Sequence, residues 1–253
     1  MYKIPANTLF LGKAIHFMPS CHSTNDIAKD LCGKHDTKEG TVVITDYQTS
    51  GRGQRGNTWE SIAGQNLTFS VLLQPSMINL SQQFYLNMIA SLAVKECLIS
   101  LLPSKNVQVK WPNDVLIDGK KVSGILIENI VKRGGFEWSV LGIGLNVNQV
   151  DFINPRATSI KVENGLTNDL LGLWDQLLHQ LERYYLKLKS QSYADLKSHY
   201  LQSLIGFKEL RRYLAEYEFE GEIIDVLESG HLVIRSKQKI YQFDFKEVEF
   251  LLN

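Results

Sequence analysis

Two short segments concentrate the groups in this chain that could do chemistry. The first is Gly51-Arg52-Gly53-Gln54-Arg55-Gly56-Asn57-Thr58-Trp59. The second runs Lys110-Trp111-Pro112-Asn113-Asp114 and, beyond Asp118-Gly119, continues as Lys120-Lys121-Val122-Ser123-Gly124. In the first, glycines let backbone N–H groups approach phosphate oxygens, and Arg52 and Arg55 supply forks of donors that match them. Trp59 offers a stacking face for a base or a fused ring. In the second, Lys110 and Lys121 could neutralise a carboxylate and a phosphate, while Asp114 could hold a divalent ion bridging phosphates. Together they describe a site for a small carboxylic acid and a nucleotide. Each has a plainer reading beside it: a solvated loop whose tryptophan packs on the core, and a solvated hairpin with ordinary surface lysines.

The glycine spacing has two look-alikes, and neither fits. A dinucleotide fold needs a helix opening at Gly56 and an acidic residue about 20 positions later. Here Asn57-Thr58-Trp59-Glu60 follows, then a strand, with no acid near position 76. A protein kinase needs H-R-D and D-F-G downstream, and the chain has neither. Farther on, Gly142, Gly144 and Asn146 interrupt an apolar run. Glycines within a strand mark either close ligand approach or a bulge.

The elements that must position these groups follow from periodicity. Residues 41–47 are β-branched and read as a strand, 48–64 as a loop and 66–73 as a second strand. Residues 81–102 carry apolar side chains at helical spacing, with Ser81 as N-cap and Pro103 as the stop. Asp118-Gly119 and Gly134-Gly135 signal two hairpins, so the middle of the chain is a sheet of successive hairpins. Helical spacing returns at 166–188, and a second helix is expected at 192–204. After Gly206 the pattern is all-β, with short turns such as Glu228-Ser229-Gly230. The expected fold class is α+β: a main domain over 1–205, then a small barrel-like domain over 206–253.

Composition narrows the function classes. Of 253 residues 44% are apolar, enough for a sizeable core, and the formal net charge is zero. A neutral protein exerts no long-range pull on nucleic acid or an anionic membrane. No apolar run approaches the roughly 18 residues of a membrane span, and the N-terminus lacks the pattern of a signal peptide. Cys21, Cys32 and Cys97 show no metal-like spacing and suggest no disulfide framework. The expectation is a cytoplasmic protein with neither membrane nor nucleic-acid partners.

Taken in order, Ser23-Thr24-Asn25, Tyr47-Gln48, GRGQRGNTW from Gly51, KWPNDVLI from Lys110, GKKVSGILIE from Gly119 and GIGLNVN from Gly142 resemble the biotin protein ligases, or biotin–[acetyl-CoA-carboxylase] ligases. The resemblance covers nearly the whole chain. It implies a mixed, largely antiparallel catalytic sheet with packed helices and a small C-terminal SH3-like β-barrel. It also implies a two-step reaction with ATP and Mg2+: biotin is activated as biotinyl-5′-AMP, then passed to a lysine of a biotin carboxyl carrier domain.

Carried onto these positions, Ser23, Thr24, Asn25, Gln48, Gly51 and Gly124 would form the biotin pocket, with Arg52 and Lys121 at its carboxylate. Arg52, Gln54, Arg55, Trp59, Asn113 and Asn146 would serve the nucleotide. Lys121, Arg52 and Lys110 would carry the catalytic charge, and Asp114 the metal. The histidines fall outside these motifs and read as structural.

Two departures matter. Many members read G-R-G-R-R-G-R, whereas Gln54 and Asn57 stand here at the second and last of those arginine positions. Losing two cations implies a looser grip on the adenylate. Some relatives also carry an N-terminal helix-turn-helix domain and repress transcription. Only 22 residues precede Ser23, so the expectation is the form without it. A lipoate–protein ligase shares this fold and chemistry, and a biotin-responsive regulatory protein without transfer activity is the rival from another class. The resemblance leaves a homodimer open.

Overall fold

A computed structural model describes residues 2–5 and 7–251. The chain opens with a parallel crossover: β1 (Ile15–Cys21), α1 (Thr24–Leu31) and β2 (Val42–Gln48), with β1 and β2 paired in parallel. β3 (Leu67–Leu73) returns antiparallel to β2. After α2 (Phe84–Leu101) come β4 (Val107–Lys110), β5 (Asp114–Ile117), β6 (Lys120–Lys132) and β7 (Gly135–Leu145), each antiparallel to the next. Pairing of β7 with β3 closes a seven-stranded sheet in the order β1-β2-β3-β7-β6-β5-β4. Three helices follow, α3 (Ile160–Asn164), α4 (Leu170–Lys189) and α5 (Tyr193–Ser203). The chain ends in β8 (Arg211–Leu214), β9 (Glu218–Val226), β10 (Leu232–Ser236), β11 (Lys239–Phe243) and β12 (Glu249–Phe250), an antiparallel five-stranded sheet ordered β11-β10-β9-β8-β12. The fold is α+β with a mixed, largely antiparallel main sheet.

The two faces of that sheet differ in composition. Successive strand residues point to opposite faces. On one face Val42, Ile44, Leu67, Phe69, Val71, Leu141 and Ile143 join the main core beneath α2 and α4. On the other, Val43, Leu72, Trp138 and Val140 pack under Ala28 of α1. Along the same alternating positions, Thr68 and Ser70 of β3 and Gly142 and Gly144 of β7 are small or polar. The sheet is therefore covered beside α1 and left open next to it.

Several expectations shift in detail. Ser81 does not cap the long helix. Residues Leu80–Gln82 form a 3-10 turn capped by Asn79, whose backbone N–H donates to the Gln82 side chain at 3.2 Å. The α-helix starts at Phe84, whose N–H donates to Glu228 O at 3.2 Å. An acceptor from a distant segment thus displaces the local cap. The second hairpin turns at Arg133-Gly134, both left-handed (φ 52° and 78°), while Gly135 already pairs with Lys132. The first turns at Asp118-Gly119 as expected, with φ of 48° and 82°. Finally, Leu80–Leu101 is long and apolar enough in composition to cross a membrane, with mean hydropathy 1.4. It lies instead in the core, where Leu86, Met88, Ile89 and Ala93 are fully buried.

The C-terminal sheet is docked by specific contacts. Trp111 Nε1 donates to Gly230 O at 2.9 Å, and Tyr85 OH donates to Glu228 at 3.0 Å. Lys197 pairs with Asp225 at 2.8 Å, and the Phe245 ring lies 5.3 Å from that of Trp111.

Candidate functional site

The open part of the α1 face is a cavity of about 380 Å³. Its floor is Thr68, Gly124, Leu126, Gly142 and Gly144. Ser23, Thr24 and Asn25, at the start of α1, and Gln48, at the end of β2, wall one end. Lys110, Trp111, Asn113, Asp114 and Lys121 wall the other, together with Lys246, Val248, Glu249 and Phe250 of the C-terminal segment. The glycine-rich loop covers the middle through Arg52, Gln54, Asn57 and Trp59.

The α1 end is neutral and rich in hydrogen bonds. Gln48 Oε1 accepts from Thr24 N at 2.8 Å and from Thr24 Oγ1 at 3.2 Å. Ser70 Oγ, fully buried, lies 2.8 Å from Thr24 Oγ1 and 2.6 Å from Asn25 Oδ1. Asn25 Nδ2 donates to Glu128 Oε2 at 2.8 Å and to Leu126 O at 3.3 Å. A Cβ on Gly142 would overlap Asn25 Oδ1, so only glycine lets Asn25 lie against the floor.

The loop is a small hairpin. Arg52 bridges Thr58, Gly53 N donates to Asn57 O at 2.7 Å, and Trp59 N donates to Gly51 O at 2.9 Å. Trp59 reaches down onto the floor, where a Cβ on Gly144 would overlap its indole. Its Nε1 is buried without a partner among the described residues. Lys121 Nζ stands 5.7 Å from the Trp59 ring centroid, close enough for a cation–π contact. Trp59 therefore lies between the neutral end and the lysines, on the sheet itself. Gly51 lies under the loop and does not line the cavity; a Cβ there would overlap Trp59 O. The Arg55 side chain lies outside the described residues.

At the charged end Lys121 Nζ lies 2.6 Å from Asp114 Oδ1. Lys110 pairs with Asp114 in the β4–β5 register, and its Nζ stands 5.7 Å from the Phe250 ring. Asn113 lines the cavity, but its amide donates to Ile125 O at 2.6 Å and clamps β5 to β6. Asn146 does not line it. Its amide donates to Thr158 O at 3.0 Å, leaving Oδ1 buried without a partner among the described residues. No cluster of three metal-ligating side chains occurs among the described residues. Asp114 alone suits a magnesium ion that keeps several waters and binds mainly through a substrate's phosphates.

A second charge cluster sits on the outer side of the loop. Arg52 Nη2 lies 2.5 Å from Asp26 Oδ1 and 2.8 Å from Glu128 Oε2, and Nη1 lies 3.2 Å from Glu128 Oε1. Lys29 Nζ also pairs with Glu128. Burial pushes the Glu128 carboxyl up, but hydrogen bonds from Lys29, Asn25 and Arg52 outweigh it and hold the group below its ordinary value.

Sequence reasoning missed Thr68, Ser70, Asp26, Lys29, Glu128 and the Lys246–Phe250 segment. For Thr68 and Ser70 a signal existed. In Leu67-Thr68-Phe69-Ser70-Val71 the polar residues take one face of a strand whose seven residues are all buried, and buried polar residues on one strand face point to a ligand or a polar network. The C-terminal residues carried no local signal, because tertiary docking alone brings them to the cavity.

Comparison with known proteins follows this geometry. The biotin/lipoate A/B protein ligase family matches residues 17–146, the span from β1 through β7. The chain is 29% identical over 248 residues to the bifunctional ligase/repressor BirA of Bacillus subtilis, covering 94% of this chain and 75% of that protein. It is 31% identical over 203 residues to a biotin–[acetyl-CoA-carboxylase] ligase of Paracoccus denitrificans, covering 76% of this chain and 83% of that one. Among solved structures, a biotin protein ligase from Aquifex aeolicus in complex with biotin and ATP superposes with a TM-score of 0.77. It is 28% identical, covering 94% of this chain and 98% of that chain.

Proposed function

The chain belongs to the biotin/lipoate A/B protein ligase family, and on that premise we propose that it is an ATP-dependent biotin–protein ligase. It joins biotin and ATP to give biotinyl-5′-AMP and pyrophosphate, then passes the biotinyl group to a lysine of a biotin carboxyl carrier domain. The observation that carries this reading is the pairing of a neutral, hydrogen-bonding end with a lysine-bearing end across Trp59 in one cavity. Ser23, Thr24, Asn25 and Gln48 line that end with donors and acceptors suited to a ureido ring, and Ser70 behind them orients Thr24 and Asn25. A dithiolane ring carries no N–H or carbonyl group to use these donors and acceptors, so the pocket chemistry favours biotin over lipoate. A regulatory protein without transfer activity would have no use for Lys110 and Lys121 beside the acid's carboxylate.

In the first step a carboxylate oxygen of biotin attacks the α-phosphorus, and the bond to pyrophosphate breaks. Two anions must meet, so the main demand is electrostatic. Lys121 is placed to neutralise the carboxylate and the α-phosphate together, and Lys110 to serve the phosphates. Glycine-loop N–H groups and Gln54 take the nucleotide side. Magnesium, held at Asp114 and by the phosphates, would supply further charge neutralisation. In the second step the neutral lysine amine attacks the acyl carbon, AMP leaves, and the amine gives up a proton. Trp59, over the floor, shields the anhydride from water until the acceptor arrives. We assign the reaction to the cytoplasm.

Intact-mass measurement of a carrier domain incubated with the protein, biotin and Mg-ATP tests this directly. Addition of one biotinyl group, lost when the acceptor lysine is replaced by arginine, is the expected result. An unmodified carrier beside a positive control ligase would refute the transfer step.

A further inference from the structure

We propose that Arg52 is a positioning residue. Its guanidinium fastens the glycine-rich loop over the biotin end of the cavity by gripping Asp26 and Glu128, and it does not serve the nucleotide phosphates. The inference rests on the biotin-ligase reading of the cavity and reverses the role that motif matching gives this arginine.

Both terminal nitrogens of Arg52 are engaged by carboxylates, at 2.5 Å to Asp26 and at 2.8 and 3.2 Å to the two oxygens of Glu128. The fork on Glu128 is bidentate, the geometry in which a guanidinium is most strongly held. Lys29 completes the cluster through Glu128. Two cations and two carboxylates cancel, so the quartet offers a phosphate no net attraction. The opposite end differs. There the strand-borne lysines Lys110 and Lys121 face one strand carboxylate, Asp114. Phosphates are drawn to that end, away from Arg52.

The connectivity says what the grip does. Glu128 Oε2, which receives Arg52, also receives Asn25 Nδ2 at 2.8 Å. Through that oxygen the loop is tied to the neutral wall of the pocket. Arg52 also forms the bridge to Thr58 that closes the loop hairpin, next to the Trp59 N–H bond to Gly51 O. Holding Arg52 therefore fixes the backbone from which Trp59 descends onto Gly144. Releasing it frees the lid above biotin and leaves the Lys121–Asp114 pair untouched.

The test compares Arg52→Met, Glu128→Gln and the double variant with wild type. The readouts are hydrogen exchange of amides 50–59, biotin affinity by titration, and biotin-dependent ATP–pyrophosphate exchange. Each single variant is expected to speed exchange of the loop amides and to weaken biotin about tenfold, the scale of a lost charge-assisted hydrogen bond. The double variant is expected to add less than about twofold to either single one, because both break one contact. At saturating biotin the KM for ATP should stay within about twofold. Unchanged loop exchange in Arg52→Met overturns the proposal whatever the catalytic result. So does a tenfold rise in the ATP KM with biotin affinity intact, the signature of a phosphate ligand. A wild-type protein that shows neither biotin binding nor biotin-dependent exchange instead removes the ligase reading, and the loop measurement still decides the role of Arg52 as an anchor.

Discussion

Lys121 Nζ sits 2.6 Å from Asp114 Oδ1 and 5.7 Å from the centre of the Trp59 ring, held between its counter-ion and an aromatic face. The strand pair β5–β6 sets this geometry. The Asp118-Gly119 turn fixes the register, and a bulge between Val115 and Leu116 brings Lys121 level with Leu116. A lysine so placed is held by the register of its own strand.

Replacing Lys121 by methionine keeps the stem and removes the charge. The expected result is a fall in the rate of biotin-dependent pyrophosphate exchange of about 10²- to 10³-fold, the range found when one preorganised charge-stabilising donor is lost. Circular dichroism and thermal melting should stay near wild type, because the lysine is one-third exposed. Exchange within tenfold of wild type would remove Lys121 from the reaction.

The floor glycines make a second expectation. A methyl group at Gly142 overlaps Asn25 and one at Gly144 overlaps Trp59. Gly142→Ala should therefore displace Asn25 and abolish measurable biotin binding, while Gly144→Ala lifts Trp59 from the floor. Each should lower stability by about 1–3 kcal/mol, as overpacking does, measurable by urea denaturation. Biotin titration of the Gly142→Ala protein checks the first. Wild-type affinity there would show that Asn25 is not part of the pocket.

How much of this was legible beforehand divides along physical lines. The β-branched run Val42 to Thr45 and the left-handed turn at Asp118-Gly119 are local signals, and both elements formed as read. The crossover β1–α1–β2 was passed over, because α1 is short and only eight residues long, and its identity depends on packing Ala28 against Trp138 and Val140. Of the site residues, those in motifs reached the cavity where backbone geometry demanded it, as at Gly124. Asn146 and Gly51 turned out to shape the backbone around it. The placing of the Phe250 ring 5.7 Å from Lys110 Nζ belongs to tertiary structure, and no spacing in the chain announces it.

The Arg52 cluster sets an acid limit. Glu128 is held below its ordinary value by Lys29, Asn25 and Arg52 against the opposing effect of burial. A carboxyl depressed in the folded state stabilises fully above its unfolded pKa, and that contribution fades as pH falls through the folded value. Melting temperature should therefore show wild type more stable than Glu128→Gln near neutrality. The two should converge as the pH drops below the ordinary glutamate range. A gap that is constant down to strongly acid pH would mean that the charge on Glu128 contributes nothing.

The loop departs from an arginine-rich relative at Gln54, which lines the cavity. Restoring a cation there with Gln54→Arg is expected to slow release of biotinyl-5′-AMP several-fold, since a charge-assisted hydrogen bond to phosphate replaces a neutral one. Chase of labelled intermediate from the enzyme with excess unlabelled biotin and ATP measures this. An unchanged release rate would show that position 54 does not reach the adenylate.

Docking of the C-terminal sheet should be felt at the nucleotide end. Trp111→Phe keeps the ring contact with Phe245 and deletes the 2.9 Å hydrogen bond to Gly230 O. The expected cost is about 1–3 kcal/mol for the buried carbonyl left unpaired, together with a raised KM for ATP, because Lys246 to Phe250 wall that end. Destabilisation without any kinetic effect would confine the segment to a structural role.

The most direct measurement is ATP–pyrophosphate exchange with the purified protein and no acceptor, run with biotin and, in parallel, with lipoate. Exchange that depends on biotin and is negligible with lipoate is the expected result, since only biotin carries a ureido group to match the polar wall of Ser23, Thr24, Asn25 and Gln48. Exchange driven by lipoate, or none with either acid although biotin binds, would contradict the assignment.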